Sequence, residues 1–128
     1  MILFKNKFRK IKHLYYSSGS VLFRMFSIYE VDFPKKEFTY SEEKYGEVIK
    51  KKTIILDDEF LFLLQKTIYE SKYYDWDDHY VNRRVKDGHQ WKVIITYANK
   101  EKIVNGSNAR PENFIEFLKV IELLKEKI

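Results

Sequence analysis

The stretch from Asp87 to Ile128 narrows the possible folds more than any other. Trp91, Val93, Ile95 and Tyr97 alternate with Lys92, Ile94 and Thr96. Side chains on a strand alternate faces, so one face here is wholly apolar and the other mixed. The residue types also suit a pleated, half-buried surface. Asp87-Gly88 supplies a turn before this strand, and Asn99-Lys100 is the expected hairpin turn after it. A return strand over about Glu101 to Asn105 places Ile103 and Val104 on opposite faces. Gly106 is then expected to turn the chain and Asn108 to cap a helix. In that helix Phe114, Phe117, Leu118, Ile121, Leu124 and Ile128 recur on a 3.6-residue period, while Lys119, Glu122, Lys125 and Glu126 fall off the stripe. Pro111 and Glu112 suit its start, and Lys125 and Lys127 its end. The stripe is expected to lie across the Trp91–Tyr97 face and close a single core.

Upstream, the pattern is mostly that of strands. Lys10 to Tyr16 reads as an edge strand, and Ser17-Ser18-Gly19-Ser20 as a turn. Val21 to Asp32 is apolar on both faces, which predicts a central strand broken at Phe33-Pro34-Lys35-Lys36. Glu37 to Ser41 is a short strand, Glu42 to Gly46 a charged turn, and Glu47 to Leu56 a further strand. Its Lys50-Lys51-Lys52 run fits an edge, where lysine discourages aggregation. Asp57 is placed to cap a helix whose first turn holds Asp58 and Glu59 and whose apolar stripe is Phe60, Leu61, Leu64 and Ile68. The connector from Tyr73 to Arg84 shows no period. The expected order is β-β-β-β-α-β-β-α. Strands clustered before each helix predict an α+β fold: an antiparallel sheet of five to six strands with two helices packed on one face.

A chain of 128 residues is one domain by length, 1–128, with enough residues for one proper core. Ten Phe and ten Tyr supply much buried area per residue. Without cysteine there is neither a disulfide framework nor a thiolate metal site. No apolar run approaches the ~18 residues of a membrane span, and Met1-Ile2-Leu3-Phe4 is far short of a signal-peptide core. The expected location is the cytoplasm. Charge is uneven: Lys5, Lys7, Arg9, Lys10 and Lys12 fall in the first sixteen residues with no acid among them, which leaves 19 basic residues to match the 19 acidic ones. Residues 1–9 therefore form a basic N-terminal arm on a neutral body. Neither an acidic DNA mimic nor a broad basic face fits.

Four places hold residue types that could carry chemistry. Asp75, Asp77, Asp78 and His79 offer oxygen and nitrogen ligands, but a calcium loop needs a glycine that the connector lacks. The expectation is a tethering loop in which Trp76 plugs the sheet edge, and no metal. The loop Asn105 to Arg110 precedes a helix and could take an anion, with Arg110 as clamp, but it has no phosphate-loop spacing. His13, His79 and His89 lack the spacing of a zinc helix or a nucleophile triad. Ser17, Ser18 and Ser20 lack the Gly-x-Ser-x-Gly elbow.

Several short motifs carry a resemblance. Tyr16-Ser17-Ser18-Gly19, Ser27-Ile28-Tyr29, Tyr74-Asp75-Trp76-Asp77, Asp87-Gly88-x-x-Trp91 and Gly106-Ser107-Asn108-Ala109-x-Pro111-x-Asn113-Phe114 resemble a loose group of uncharacterised small domains of low-GC bacteria, over about residues 11 to 124. In that group an aromatic often stands at the position of Arg110. The resemblance implies the same fold and no activity.

These readings point to a non-enzymatic binding protein without a cofactor. It is expected to act on a protein partner, as an inhibitor or immunity-type protein of phage or mobile-element origin. Tyr and Trp are favoured at interface hot spots, so the expected surface is Tyr73, Tyr74, Trp76, Tyr80 and Arg83, with Arg110 nearby. The alternative is nucleic-acid binding, to RNA above all, through Lys5, Lys7, Arg9, Lys10 and Lys12 of the arm. An enzyme of unknown class is the third reading.

Overall fold

The computed structural model describes residues 11–84 and 88–128. The chain runs β1 (Ile11–Ser20), β2 (Met25–Asp32), β3 (Glu37–Lys44), β4 (Glu47–Ile55), α1 (Asp58–Glu70), a 3-10 turn (Tyr73–Asp75), β5 (His79–Val81), β6 (His89–Tyr97), β7 (Lys100–Ser107) and α2 (Phe114–Lys125). The strands form one seven-stranded sheet in the order β4-β3-β2-β1-β6-β7-β5. Every pairing is antiparallel except the three-residue β5, which runs parallel to β7. This is the α+β architecture expected, with one strand more, because the connector contributes β5.

The register explains the core. Leu14, Val31, Phe38, Val93, Ile95 and Val104 share one face and are almost completely buried. They meet Leu61, Leu64 and Ile68 of α1 and Phe114, Phe117, Val120, Ile121 and Leu124 of α2 in one cluster. Trp91 and Phe114 approach to 4.5 Å between ring centroids, so α2 does seal the Trp91 face of β6. Asp57 caps α1 as its position predicts, accepting a hydrogen bond from the Phe60 amide at 2.8 Å. β4 is an edge strand, and its three lysines are exposed.

Several boundaries differ from expectation, each for a local reason. Ser17-Ser18-Gly19-Ser20 is not a turn but the end of β1, and β1 lies at the sheet's centre rather than its edge. Gly19 is there for room: a Cβ on it would stand 2.7 Å from the Phe26 ring and 2.0 Å from the Met25 carbonyl. The reversal comes at residues 21–24 instead, with Arg24 in the left-handed region. Leu22 and Phe23 are consequently 72% and 64% exposed. The β6–β7 turn is Ala98-Asn99, one residue earlier than predicted, with Ala98 at φ 55°. Gly106 lies within β7 under the Trp91 indole, where a Cβ would come within 2.3 Å of Nε1. The residue at the start of α2 is Asn113, which makes no side-chain cap; Asn108 instead takes φ 57° after β7.

Candidate functional site

The aromatic connector does not present one exposed surface. Lys72 at φ 55° breaks the chain out of α1 into the 3-10 turn, which carries Tyr73 inward. Tyr73 and Trp76 are core residues, each 6% exposed, which corrects their placement on a partner-binding surface. Burial raises the Tyr73 phenol above the usual tyrosine range, with Tyr97, Tyr74 and Tyr69 adding to the shift. Trp76 packs against Phe114 at 5.7 Å and Phe117 at 5.8 Å, and its carbonyl accepts from Lys102 Nζ at 2.6 Å. The physical reason is their packing: Tyr73 meets Tyr97 of β6 at 6.1 Å and Trp76 meets Trp91 of β6 at 6.4 Å, within the single core cluster. Tyr80 is half-buried, stacked on Trp91 at 6.1 Å, with its hydroxyl accepting from the Asp77 amide at 2.9 Å. Tyr74 and Arg83 are exposed, and the Arg110 guanidinium lies 5.5 Å from the Phe114 ring centroid.

The acids of the connector are dispersed too. Asp78 lies 3.7 Å from Lys102, and His79 Nδ1 is hydrogen-bonded to Asn105 Oδ1 at 2.8 Å. Among the described residues no three His, Asp or Glu side chains converge on a point that could hold a metal ion. The Gly106–Arg110 loop is organised around an indole rather than an anion: Ala109 O accepts from Trp91 Nε1 at 2.8 Å, and the Asn108 amide donates to His89 O. Of the arm, Lys5, Lys7, Arg9 and Lys10 lie outside the described residues; Lys12 is exposed on β1.

On the helix side of the sheet, Tyr16, Tyr29 and Tyr40 stand in one cross-strand row, with centroids 6.0 Å and 5.1 Å apart. Burial pushes the Tyr29 phenol up to about 12, with smaller contributions from Tyr40, Tyr16, Glu122 and Glu42. Burial also raises Tyr16 and Tyr40, and the Tyr40 hydroxyl donates to Glu42 at 2.6 Å. The row thus remains a set of neutral phenols that tie β1, β2 and β3 together beneath α2.

What the sequence reading missed is the other face of the sheet, which neither helix covers. A groove of about 460 Å³ crosses it. Its floor is Ser17 of β1 and Ile28 of β2. Ile28 is only 6% exposed although no helix covers it, because its neighbours rise around it. Phe26 folds over Gly19 and makes one wall. Lys92, Gln90 and Asn105 make the other, Glu43 stands at the β3 end, and Val81 of β5 at the far rim. Register assembles the site. Ser17 pairs with Ile28 on one side and Lys92 on the other, and Lys92 pairs with Asn105. Strand alternation gave Lys92 and Ile94 as a mixed outer face, but the cross-strand partners were not visible.

The groove continues at its upper end into two exposed turns. The β1–β2 turn carries Val21, Leu22 and Phe23, and the β3–β4 turn carries Tyr45. The Tyr45 amide donates to Arg24 O at 2.9 Å, which ties the two tips together. Among the described residues, fold and site together define a sheet with one face closed by helices and the other grooved and bordered by apolar tips. No family model matches the chain, and no curated protein matches it significantly. No described helix is long and apolar enough to cross a membrane.

Proposed function

We propose that this chain is a small non-enzymatic binding protein that acts by contact with another protein, in the manner of an inhibitor or immunity protein. The contact surface is the open sheet face with its two adjoining tips. The observation that carries this reading is the grouping of large apolar side chains where water would ordinarily be met by polar ones. Val21, Leu22, Phe23 and Tyr45 all stand exposed on two turns joined by a backbone hydrogen bond. Contiguous exposed apolar surface bordered by polar residues is characteristic of an interaction site, and aromatic anchors contribute most of the energy at such sites. The neutral hydroxyls and amides of the groove supply the polar side of the same contact.

The test is capture from extracts of the source cells with immobilised full-length protein. Wild type is expected to retain a specific partner, and a Leu22→Ser, Phe23→Ser variant with an unchanged melting temperature is expected to lose it. Retention of the same partner by the variant refutes the tips as the contact. Capture that fades steeply with added salt and disappears on deletion of residues 1–9 points instead to nucleic acid held by the basic arm.

A further inference from the structure

Lys92 is the unusual residue of the groove. It sits on β6, an interior strand of the sheet, and its side chain makes no hydrogen bond or ion pair with any described residue. Among the described residues it is also the one basic residue that lines the groove. On either side of Lys92 in the ladder are Ser17 and Asn105. Asn105 Oδ1 is engaged by His79 Nδ1, so what its amide offers the groove is N–H donors. A hydroxyl, an ammonium and an amide therefore lie in one row, all able to donate, and the one described carboxylate lining the groove, Glu43, stands three strands away on β3.

One strand beyond Ser17 in the same row the chemistry changes. Ile28 is apolar and sheltered, with the Phe26 ring beside it. Two strand spacings separate Ile28 from Lys92, about 10 Å. A single amino-acid residue spans that distance with a carboxylate at one end and a large side chain at the other. Glu43 lines the β3 end and Lys92 the β6 end, so the groove is electrically polarised along its length: a carboxylate would be repelled at Glu43 and attracted at Lys92. It is also open to solvent along the sheet face. An enclosed pocket buries most of a small ligand; an open one receives the end of a longer chain.

We propose that the groove is a receptor for the C-terminal residue of the partner polypeptide, with the free α-carboxylate on Lys92, Ser17 and Asn105 and an apolar side chain against Ile28 and Phe26. This rests on the protein-binding reading above. Capture of a terminal carboxylate is a recurrent mode of peptide recognition, and a charge-assisted hydrogen bond is the strongest kind available at a wet site.

The experiment titrates the full chain, labelled with ¹⁵N, with two peptides: acetyl-tetraalanyl-phenylalanine as the free acid and as its C-terminal amide. The free acid is expected to give saturable shifts at the amides of Ser17, Ile28, Lys92 and Asn105. The amide peptide is expected to bind at least about tenfold more weakly, the usual loss when a hydrogen bond to a charged group is removed. Lys92→Met should reduce the free acid to the level of the amide, and Lys92→Arg should restore the difference. Equal binding of the two peptides, shifts confined to residues 21–24, or wild-type affinity in Lys92→Met overturns the proposal. If a partner is captured from extracts while neither peptide binds, the C-terminal recognition fails and the protein-binding reading stands. Peptide discrimination with no loss of capture in the Leu22, Phe23 variant leaves the C-terminal recognition standing and removes the tips from the contact.

Discussion

Replacing Trp76 by alanine separates a core residue from a surface hot spot. The indole is 6% exposed and packs against Trp91, Phe114 and Phe117 with centroids 6.4, 5.7 and 5.8 Å away. Removing a buried tryptophan costs about 3–5 kcal/mol through lost transfer energy and the cavity left behind. One term acts in the other direction. Trp76 Nε1 is buried without an acceptor among the described residues. A stranded donor costs about 1–3 kcal/mol, and alanine removes it. The two ranges combine to a net destabilisation of about 0–4 kcal/mol, centred on about 2 kcal/mol. An unfolding entropy of about 2.1 cal/mol/K per residue over 128 residues comes to about 0.27 kcal/mol/K, so the central value lowers the melting temperature by about 7 °C and the upper end by about 15 °C. Thermal melts followed by far-UV circular dichroism measure this directly. Tyr74→Ala is the control: its ring is 43% exposed, and a loss below about 1 kcal/mol, or roughly 4 °C, is expected. A Trp76→Ala variant that melts as high as Tyr74→Ala would refute the packing.

Two further outcomes follow from close packing and from burial of ionisable rings. Gly106→Ala forces a methyl to within 2.4 Å of Trp91 Cε2 and 2.6 Å of Ala109 O, so it should lower the urea midpoint by the equivalent of about 1–3 kcal/mol at unchanged slope; a wild-type midpoint contradicts the contact. For Tyr29, the folded state holds the phenolic proton more tightly than the unfolded chain, whose value is 10.0. Its contribution is therefore complete below pH 10 and is lost as pH rises toward about 12. Urea midpoints measured from pH 9 to 11.5 should fall, and Tyr29→Phe should fall less steeply; parallel curves for the two proteins would show that the phenol is not buried.

How much of this could be read from the residues varied with the distance over which the determining contact acts. The stripe Phe114–Leu124 and the cap at Asp57 depend on neighbours a few positions away, and both stand where the pattern put them. The β1–β2 reversal misled because two local signals pointed the wrong way. Ser17-Ser18-Gly19-Ser20 has the composition of a turn, yet Gly19 serves the Phe26 ring that crosses it. Val21-Leu22-Phe23 has the composition of a strand, yet it forms an exposed tip. In the connector, Trp76 and Tyr73 carry no periodic signal because one short helical turn and one short strand hold them, and their burial depends on rings from α2 and β6. The groove was least accessible to sequence reading. Ser17, Ile28, Lys92 and Asn105 come from four strands, and only the pairing register makes them neighbours.

β1 lies between β2, its neighbour in the chain, and β6, which is made much later. As the polypeptide leaves the ribosome, the meander from β1 to β4 can assemble early through short hairpins, whereas Leu14 must wait for Ile95 to arrive. Closure over so long a loop slows folding. In the interval the flank of β1 offers unpaired amides and carbonyls to any other nascent copy, an invitation to strand exchange and clumping. Production of this protein should therefore reward slow synthesis and low temperature, and variants that weaken β6 should fail first as inclusion bodies rather than as unstable monomers.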